Sequence, residues 1–152
     1  MLRITKLSDY AIILLSHLAN LSPGETANTR EIARETNVPA AMVGKILKQL
    51  NRCDLLVSTR GINGGYALAR SPWKISVVEL LDALEGPVGL TECAVPGVCT
   101  MEGGCGTRGI WHDINRRIRA MLESVSLAEM IGGGFDGIDL GAESASLKGI
   151  RS

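Results

Sequence analysis

The stretch that decides the fold is T-R-E-I-A-R-E-T-N-V-P-A-A-M-V-G-K-I-L-K-Q-L-N-R, residues 29–52. Ile32 and Ala33 predict a short helix with one apolar side, which Asn37 ends before Pro39 opens a second helix. The second helix has apolar residues on one side and basic residues on the other: Met42, Val43, Ile46, Leu47 and Leu50 against Lys45, Lys48 and Arg52. Two short helices joined by a tight turn in this way indicate a helix-turn-helix.

The residues that follow predict a two-stranded hairpin. The candidate strands are D-L-L-V-S-T-R (54–60) and Y-A-L-A-R (66–70), separated by the turn sequence G-I-N-G-G. Asn63-Gly64 favours a tight turn because both positions tolerate positive φ. A hairpin directly after a helix-turn-helix is a wing, with Arg60 at its base. The predicted fold class is therefore mainly α with a two-stranded wing.

Charge is separated along the chain, although the net charge of its 152 residues is zero. Residues 1–70 hold nine Lys/Arg against five Asp/Glu, a balance of +4, and residues 71–152 hold seven against eleven, a balance of −4. A basic half indicates an anionic partner, most commonly double-stranded DNA, with chance partition of charge as the alternative. We expect no catalytic activity and no small-molecule substrate, because the sequence contains no catalytic triad and no phosphate-binding loop.

The apolar run near the N-terminus predicts a helix over residues 8–20, capped by Ser8, rather than a signal peptide. No apolar stretch is long enough to cross a membrane, so we expect a cytoplasmic protein.

The second half predicts two more helices and a tail. S-V-V-E (76–79) is a capping box that opens a helix through Leu84. A long helix over residues 108–125 carries an apolar stripe: Ile110, Ile114, Ile118, Met121, Leu122 and Val125. The stripe covers either its own domain or a partner helix in a homodimer, and we favour the homodimer because the domain already has a core. Residues 131–152 are rich in glycine and predict a disordered tail.

Three cysteines at even spacing predict a metal or redox site. Cys93, Cys99 and Cys105 lie in the glycine-rich stretch E-C-A-V-P-G-V-C-T-M-E-G-G-C-G, with five residues between successive cysteines. This spacing is too wide for a Cys-x-x-Cys zinc ribbon, and three thiolates suit an iron–sulfur cluster. A Cys₃His zinc site with His112, or a reversible thiol switch, is the alternative. Cys53 stands apart beside apolar residues, where we expect it only to pack.

These motifs, in their order, resemble the Rrf-two family of bacterial winged-helix regulators. The matching strings are M-L-R-I-T-K-L-S-D-Y-A, E-I-A-R-E-T-N-V-P, K-I-L-K-Q-L, R-G-I-N-G-G-Y-A-L-A-R and C-x5-C-x5-C. The string A-L-E-G-P-V-G-L-T-E-C is similar to the sequence in the family branch that regulates the SUF iron–sulfur assembly operon. The resemblance covers about residues 1–130, and a small iron–sulfur electron carrier is the alternative of another class.

The resemblance implies a homodimer that binds near-palindromic DNA and an iron–sulfur cluster held by the three loop cysteines. It implies four segments: a winged helix-turn-helix (1–86), a cluster-binding loop (87–107), a dimerisation helix (108–130) and the tail. It also implies that the second helix enters the major groove and that the wing approaches the minor groove. The expected DNA-binding residues are Lys45, Lys48, Arg60, Asn63, Gly64 and Gly65.

The fourth cluster ligand is where the chain departs from the family pattern. IscR-like members have a histidine three residues after the last cysteine, and here that position is Arg108, which cannot ligate iron. NsrR-like members use an aspartate of the partner subunit, and the aligned residue here is Asp9. Asp9 is therefore a candidate ligand, although a first-turn carboxylate also favours the helix dipole by itself. The cluster type stays open between 2Fe–2S and 4Fe–4S.

Overall fold

The computed structural model describes residues 3–101 and 103–132. Its elements are α1 (Lys6–Ala19), α2 (Thr29–Thr36), α3 (Ala40–Arg52), β1 (Leu56–Thr59), β2 (Gly65–Leu68), α4 (Val77–Glu85), α5 (Arg108–Glu123) and α6 (Leu127–Gly132). The mainly helical fold with a two-stranded antiparallel sheet confirms the predicted fold class. None of the described helices is long and apolar enough to cross a membrane. The predicted tail lies outside the described residues from position 133 onward.

Helices α2 and α3 form the helix-turn-helix because each buries one apolar side. Ile32 of α2 packs into the same core as the apolar side of α3, whose buried residues are Val43, Ile46, Leu47 and Leu50. Asn37 makes the turn between the helices in the left-handed conformation, with φ of 58°. A capping box of Asn28 and Glu31 begins α2. These contacts leave the opposite side of α3 exposed.

Helix α1 begins earlier than predicted, because Thr5 rather than Ser8 caps it. The Thr5 hydroxyl accepts from the backbone N–H of Leu7. Ser8 is fully buried, and its hydroxyl donates to Glu85 Oε1 at 2.6 Å. Glu85 Oε1 also accepts from the backbone N–H and the hydroxyl of Thr5, at 3.0 and 2.7 Å. The start of α1 is therefore fixed to the end of α4 by one carboxylate.

The wing turn has five residues, as the predicted G-I-N-G-G turn has, but it begins one residue earlier. Strands β1 and β2 pair from Leu56↔Leu68 to Thr59↔Gly65, which leaves the five-residue loop 60–64. Positive φ occurs at Gly61 (121°) and not at Asn63 or Gly64, so the tight-turn prediction is wrong. The loop closes instead through a hydrogen bond from the Gly64 N–H to the Gly61 carbonyl, at 3.0 Å.

A third segment supports the wing from the side. The N–H and C=O of Ala27 bond the C=O and N–H of Tyr66 at 3.1 and 2.8 Å. The Thr26 hydroxyl donates to the Asn63 carbonyl at 3.0 Å. Because Asn28 caps α2, these bonds join the wing directly to the first residue of the helix-turn-helix.

The predicted long helix is split in the structure. Helix α5 ends at Glu123, and the chain then pairs with the residues before α4 through Val77 N–H to Val125 C=O (2.9 Å) and Leu127 N–H to Ile75 C=O (2.7 Å). Ser126 and Glu129 form a capping box that begins α6. The C-terminal end of the apolar stripe therefore packs against the stripe's own domain, where Val125 is buried beside Ile118 and Leu122.

We predict that Gly65→Ala destabilises the protein by about 1–3 kcal/mol, the range for forcing atoms into a packed site. A Cβ at position 65 would lie 2.5 Å from the carbonyl carbon and oxygen of Ala27. The control is Gly44→Ala in α3, where the nearest atom is Thr29 Cγ2 at 4.0 Å. We expect it to stabilise the helix by up to about 1 kcal/mol. Urea unfolding of both variants measures this, and an unaffected Gly65→Ala protein would show that the wing is not packed on Ala27.

We predict that Glu85→Gln lowers the free energy of unfolding at pH 7 by about 1–2 kcal/mol, because hydrogen bonds to a charged group are replaced by weaker ones. The Ser8 hydroxyl, followed by the donors of Thr5, holds the pKa of Glu85 below its ordinary value of 4.5, although partial burial opposes this. A lowered folded-state pKa gives stability that is present above pH 4.5 and is lost as the pH falls through the folded-state pKa. The difference between wild type and variant should therefore shrink in acid. Glu35→Gln, in an exposed ion pair, is the control and should change stability by less than about 0.5 kcal/mol.

Candidate DNA-binding face and cysteine loop

The exposed side of α3 and the wing loop present the predicted basic residues. Lys45, Lys48 and Arg60 are all exposed, and none of them takes part in an ion pair within the described ranges. Ala40 and Ala41 are the exposed residues of the first turn of α3. Small side chains there can contact a thymine methyl group but cannot make a bidentate base contact. This face is therefore suited mainly to phosphate attraction.

The wing glycines have structural roles in addition to the predicted one. A Cβ at Gly64 would collide with the Thr59 carbonyl oxygen, and Gly65 is closed in by Ala27. Asn63 is exposed, and its carbonyl is held by Thr26. Ile62, between Gly61 and Asn63, is fully exposed at the tip. Sequence reasoning missed the support from Thr26 and Ala27, because a single backbone bridge leaves no periodic pattern.

The backbone of the cysteine loop beyond Cys93 is held by local hydrogen bonds. From Val95 to Arg108, the described backbone–backbone hydrogen bonds of the loop join residues three apart, as in Val98 N–H to Val95 C=O and Gly104 N–H to Met101 C=O. A short 3₁₀ turn, Glu92–Ala94, holds Cys93. Cys93, Cys99 and Cys105 are all partly exposed and unbridged.

The thiol of Cys105 lies in a polar setting. Its Sγ is 3.3 Å from Thr107 Oγ1. The hydrogen bond with the Thr107 hydroxyl, followed by the backbone N–H groups of Thr107 and Arg108, lowers the pKa of this thiol from its ordinary value of 9.0. Cys53, by contrast, is exposed at the end of α3, so the expectation that it packs among apolar neighbours is wrong.

Arg108, which replaces the histidine of IscR-like members, and the two candidate fourth ligands, His112 and Asp9, occupy different surroundings. Arg108 opens α5, and its Nε donates to His112 Nε2 at 3.4 Å. His112 is exposed one turn further along the same helix. Asp9 is exposed in the first turn of α1 and lines an apolar groove rather than the cysteine loop.

The donor set fits an iron–sulfur cluster in kind, because three unbridged thiols on one loop are the soft ligands that iron–sulfur clusters require. The described residues do not form a group of three or more His, Cys, Asp or Glu side chains that could hold a metal ion. Binding of a cluster therefore requires the loop to rearrange. The local character of its hydrogen bonds makes that rearrangement possible without disrupting the helices.

An apolar groove of about 360 Å³ lies between α1, α4, α5 and α6. Its lining includes Ile4, Ile12, Leu81 and Met121, with Asp9 and Ser8 as polar members. Ile4 is 60% exposed and Met121 is 47% exposed. Further along α5, Ile110 is 62% exposed. The N-terminal part of the α5 stripe and the groove thus present apolar surface that the described residues leave open.

Comparison with known proteins agrees with these features. A family profile described as Rrf2, iron-dependent transcriptional regulator, matches residues 4–133. IscR from Xenorhabdus nematophila is 28% identical over 130 residues, which cover 86% of this chain and 79% of that protein. IscR from Cronobacter sakazakii is 25% identical over the same length, with 86% and 80% covered.

Solved structures share the fold. CymR of B. subtilis, titled the global cysteine regulator, superposes with a TM-score of 0.66 at 24% identity over 88% of this chain and 99% of that chain. IscR of T. potens gives a TM-score of 0.62 at 23% identity over 87% and 88%. The fold, the helix-turn-helix and a family profile that spans most of the sequence agree, and the chain belongs to the Rrf2 family of iron-dependent transcriptional regulators.

Proposed function

We propose that this chain is an iron–sulfur-responsive regulator that represses the SUF iron–sulfur assembly operon as a cytoplasmic homodimer. The observation that carries the proposal is three unbridged, partly exposed thiols on one loop, in a chain with a winged helix-turn-helix. The SUF assignment is supported by the resemblance of residues 83–93, A-L-E-G-P-V-G-L-T-E-C, to that branch of the family. An electron carrier would leave the helix-turn-helix without a role, and the family consists of transcriptional regulators.

On the DNA side, α3 would lie in the major groove and the wing in the minor groove. Lys45 and Lys48 supply positive charge on the exposed side of α3, and Arg60 supplies it at the base of the wing loop. Phosphate contacts of this kind fix position and affinity, whereas base-edge contacts and DNA shape give specificity. The small residues at the start of α3 place much of the discrimination with the wing, where Asn63 and the adjoining glycines approach the duplex.

The homodimer is supported by the apolar surface that residues 3–101 and 103–132 leave open. Ile110 and the groove around Ile4 and Met121 would be covered by the same surfaces of a second copy, which is the arrangement that two-fold symmetry favours. A dimer also presents two winged domains to a near-palindromic operator. Asp9 lines this groove and would lie at the interface, which suits a ligand donated to the partner's loop.

Cys93, Cys99 and Cys105 would hold the cluster, with Asp9 of the partner subunit as the candidate fourth ligand. The bound group, 2Fe–2S or 4Fe–4S, supplies a link between three thiolates that depends on iron supply and on oxidants. The residues of this chain would connect that link to the DNA-binding domain. The loop is joined to α5 and α5 is packed on α4. In the proposed homodimer, the position of α5 would set the separation of the two winged domains. Coupling of about 1–3 kcal/mol would change DNA affinity about 5–150-fold.

A second candidate function is a zinc- or thiol-responsive regulator with the same DNA-binding domain. It is favoured by the partial exposure of the three unbridged loop thiols, which leaves them accessible to zinc or to an oxidant. Structures of Staphylococcus aureus CymR include one titled the oxidized form, which superposes with a TM-score of 0.60 at 21% identity. Zinc is colourless, so an absorption spectrum separates the two candidates.

We predict that Cys99→Ala removes the visible absorption and the bound iron of anaerobically purified protein, because two thiolates of the loop cannot replace three. Wild type should absorb between roughly 300 and 600 nm and contain matching iron and sulfide, as iron–sulfur proteins do. Cys53→Ala, which removes an exposed thiol outside the loop, is the control and should keep both. A Cys99→Ala protein with full iron content would contradict the ligand assignment. Colourless, iron-free wild type after anaerobic reconstitution would favour the second candidate.

We predict that Arg60→Ala weakens operator binding about 5-fold or more and lowers the slope of log affinity against log salt by about 0.9 for each lost phosphate contact. The DNA is a duplex that wild type selects from a random pool, and affinity is measured by fluorescence anisotropy at several salt concentrations. Arg117→Ala removes the same charge from an exposed position on α5 and is the control. Equal effects of the two substitutions would show that Arg60 contributes only general charge.

A further inference from the structure

One polar side chain of α5 is buried within the described part of the protein, and it is Asn115. Its Oδ1 accepts from the Leu90 N–H at 2.8 Å, and its Nδ2 donates to Thr91 Oγ1 at 3.0 Å. A buried amide is destabilising unless it is hydrogen-bonded, and here both ends of the amide are bonded to the segment that leads into the cysteine loop. Asn115 therefore attaches the beginning of the loop to α5.

The attachment is close to the first cysteine. Ala94, the neighbour of Cys93, lies directly against Gly89, because a Cβ at position 89 would collide with the Ala94 Cβ. The same Cβ would lie 3.7 Å from Asn115 Oδ1. Cys93 is thus next to a residue that packs against the segment that Asn115 holds, whereas the described backbone hydrogen bonds of the later part of the loop are local.

A second attachment lies one helical turn further along α5. Arg119 donates to both carboxylate oxygens of Asp82 on α4, with 3.1 Å to Oδ1. Asp82 Oδ1 also accepts from the Val88 N–H at 3.0 Å. Residues 88–91 are therefore held between α4 and α5, by Asp82 at one end and by Asn115 at the other.

The same part of α4 is bonded to the DNA-binding helix. Gln49 of α3 donates from Nε2 to the Ala83 carbonyl at 2.7 Å and to the Leu84 carbonyl at 3.3 Å. Gln49 is four residues from Lys45 and next to Lys48. A continuous set of hydrogen bonds and helical segments therefore runs from Leu90 and Thr91 through α5 and α4 to α3.

We propose that Asn115 is the positioning residue that couples the cysteine loop to the DNA-binding helix. The inference rests on the proposed function in taking the loop as the sensing site. Gathering of the three thiolates displaces the loop beside Cys93. Asn115 converts that displacement into a shift of α5 against α4, and Gln49 passes the shift of α4 to α3. The coupling between two sites is reciprocal, so DNA binding must in turn alter the segment that Asn115 holds.

The test compares Asn115→Leu with wild type, because leucine has a similar size and makes no hydrogen bond. The control is Asp113→Asn, which alters an exposed pair with Arg116 on the same helix. Each protein is purified anaerobically, and affinity for the selected duplex is measured with and without cluster. We expect a ratio of about 5–150 in wild type and in the control, and a ratio within 2-fold of one in Asn115→Leu at unchanged iron content. An unchanged ratio in Asn115→Leu would overturn the proposal while leaving the proposed function intact.

A second readout does not depend on a cluster. Hydrogen exchange at the Leu90 amide is measured in cluster-free protein with and without the duplex. We expect DNA to change this exchange at least 3-fold in wild type and not in Asn115→Leu. If DNA leaves the exchange rate of the Leu90 amide unchanged in wild type, the proposal is overturned. A wild-type protein that binds no iron would instead defeat the proposed function, and the exchange measurement would still test the role of Asn115. If circular dichroism shows that Asn115→Leu is unfolded, Thr91→Val, which removes only the partner hydroxyl, replaces it in both measurements.

Discussion

The last turn of α4 is the constraint on which the arrangement of the other helices depends. A helix end leaves carbonyl groups without partners and repels nearby carboxylates. In α4 the Ala83 and Leu84 carbonyls accept from Gln49, while Asp82 and Glu85 are stabilised by Arg119 and by the hydroxyls of Thr5 and Ser8. A locally unfavourable helix end thus becomes the place where α1, α3 and α5 are joined.

Local signals in the sequence predicted the helix-turn-helix, the wing strands and the capping box of α4, since neighbouring residues determine these features. The cap of α1 was misplaced because Ser8 bonds Glu85, 77 residues away, and such a contact has no local pattern. The end of α5 was misplaced for a different reason. The sequence S-L-A-E (126–129) carries its own capping-box pattern, which separates α6 from α5 and could have been recognised beforehand.

For the cysteine loop, the sequence predicts the kind of ligating atom but not the arrangement of these atoms in space. Three thiols at even spacing indicate the kind of group that the loop can bind. The assignment of each individual cysteine as a ligand stays a prediction. Their arrangement is not encoded in the spacing, because the hydrogen bonds of the loop are short-range and the bound group itself would supply the missing cross-links. Asn115 escaped sequence reasoning since a polar residue in a mostly exposed helix looks like a solvent-facing one.

The joining of the wing to the start of α2 through Ala27 and Thr26 has a consequence for the DNA sequences that this protein can read. In the proposed complex, one subunit would present α3 and the wing to the two grooves as one unit, because these bonds fix the wing against the start of the helix-turn-helix. Each added base pair lengthens B-form DNA by about 3.4 Å and turns it by about one tenth of a helical turn. A binding site could therefore vary in base composition within a half-site. An inserted base pair there would instead rotate one groove away from the element, α3 or the wing, that is proposed to contact it. In the proposed homodimer, tolerance to altered spacing between half-sites would come from the junction between the two subunits.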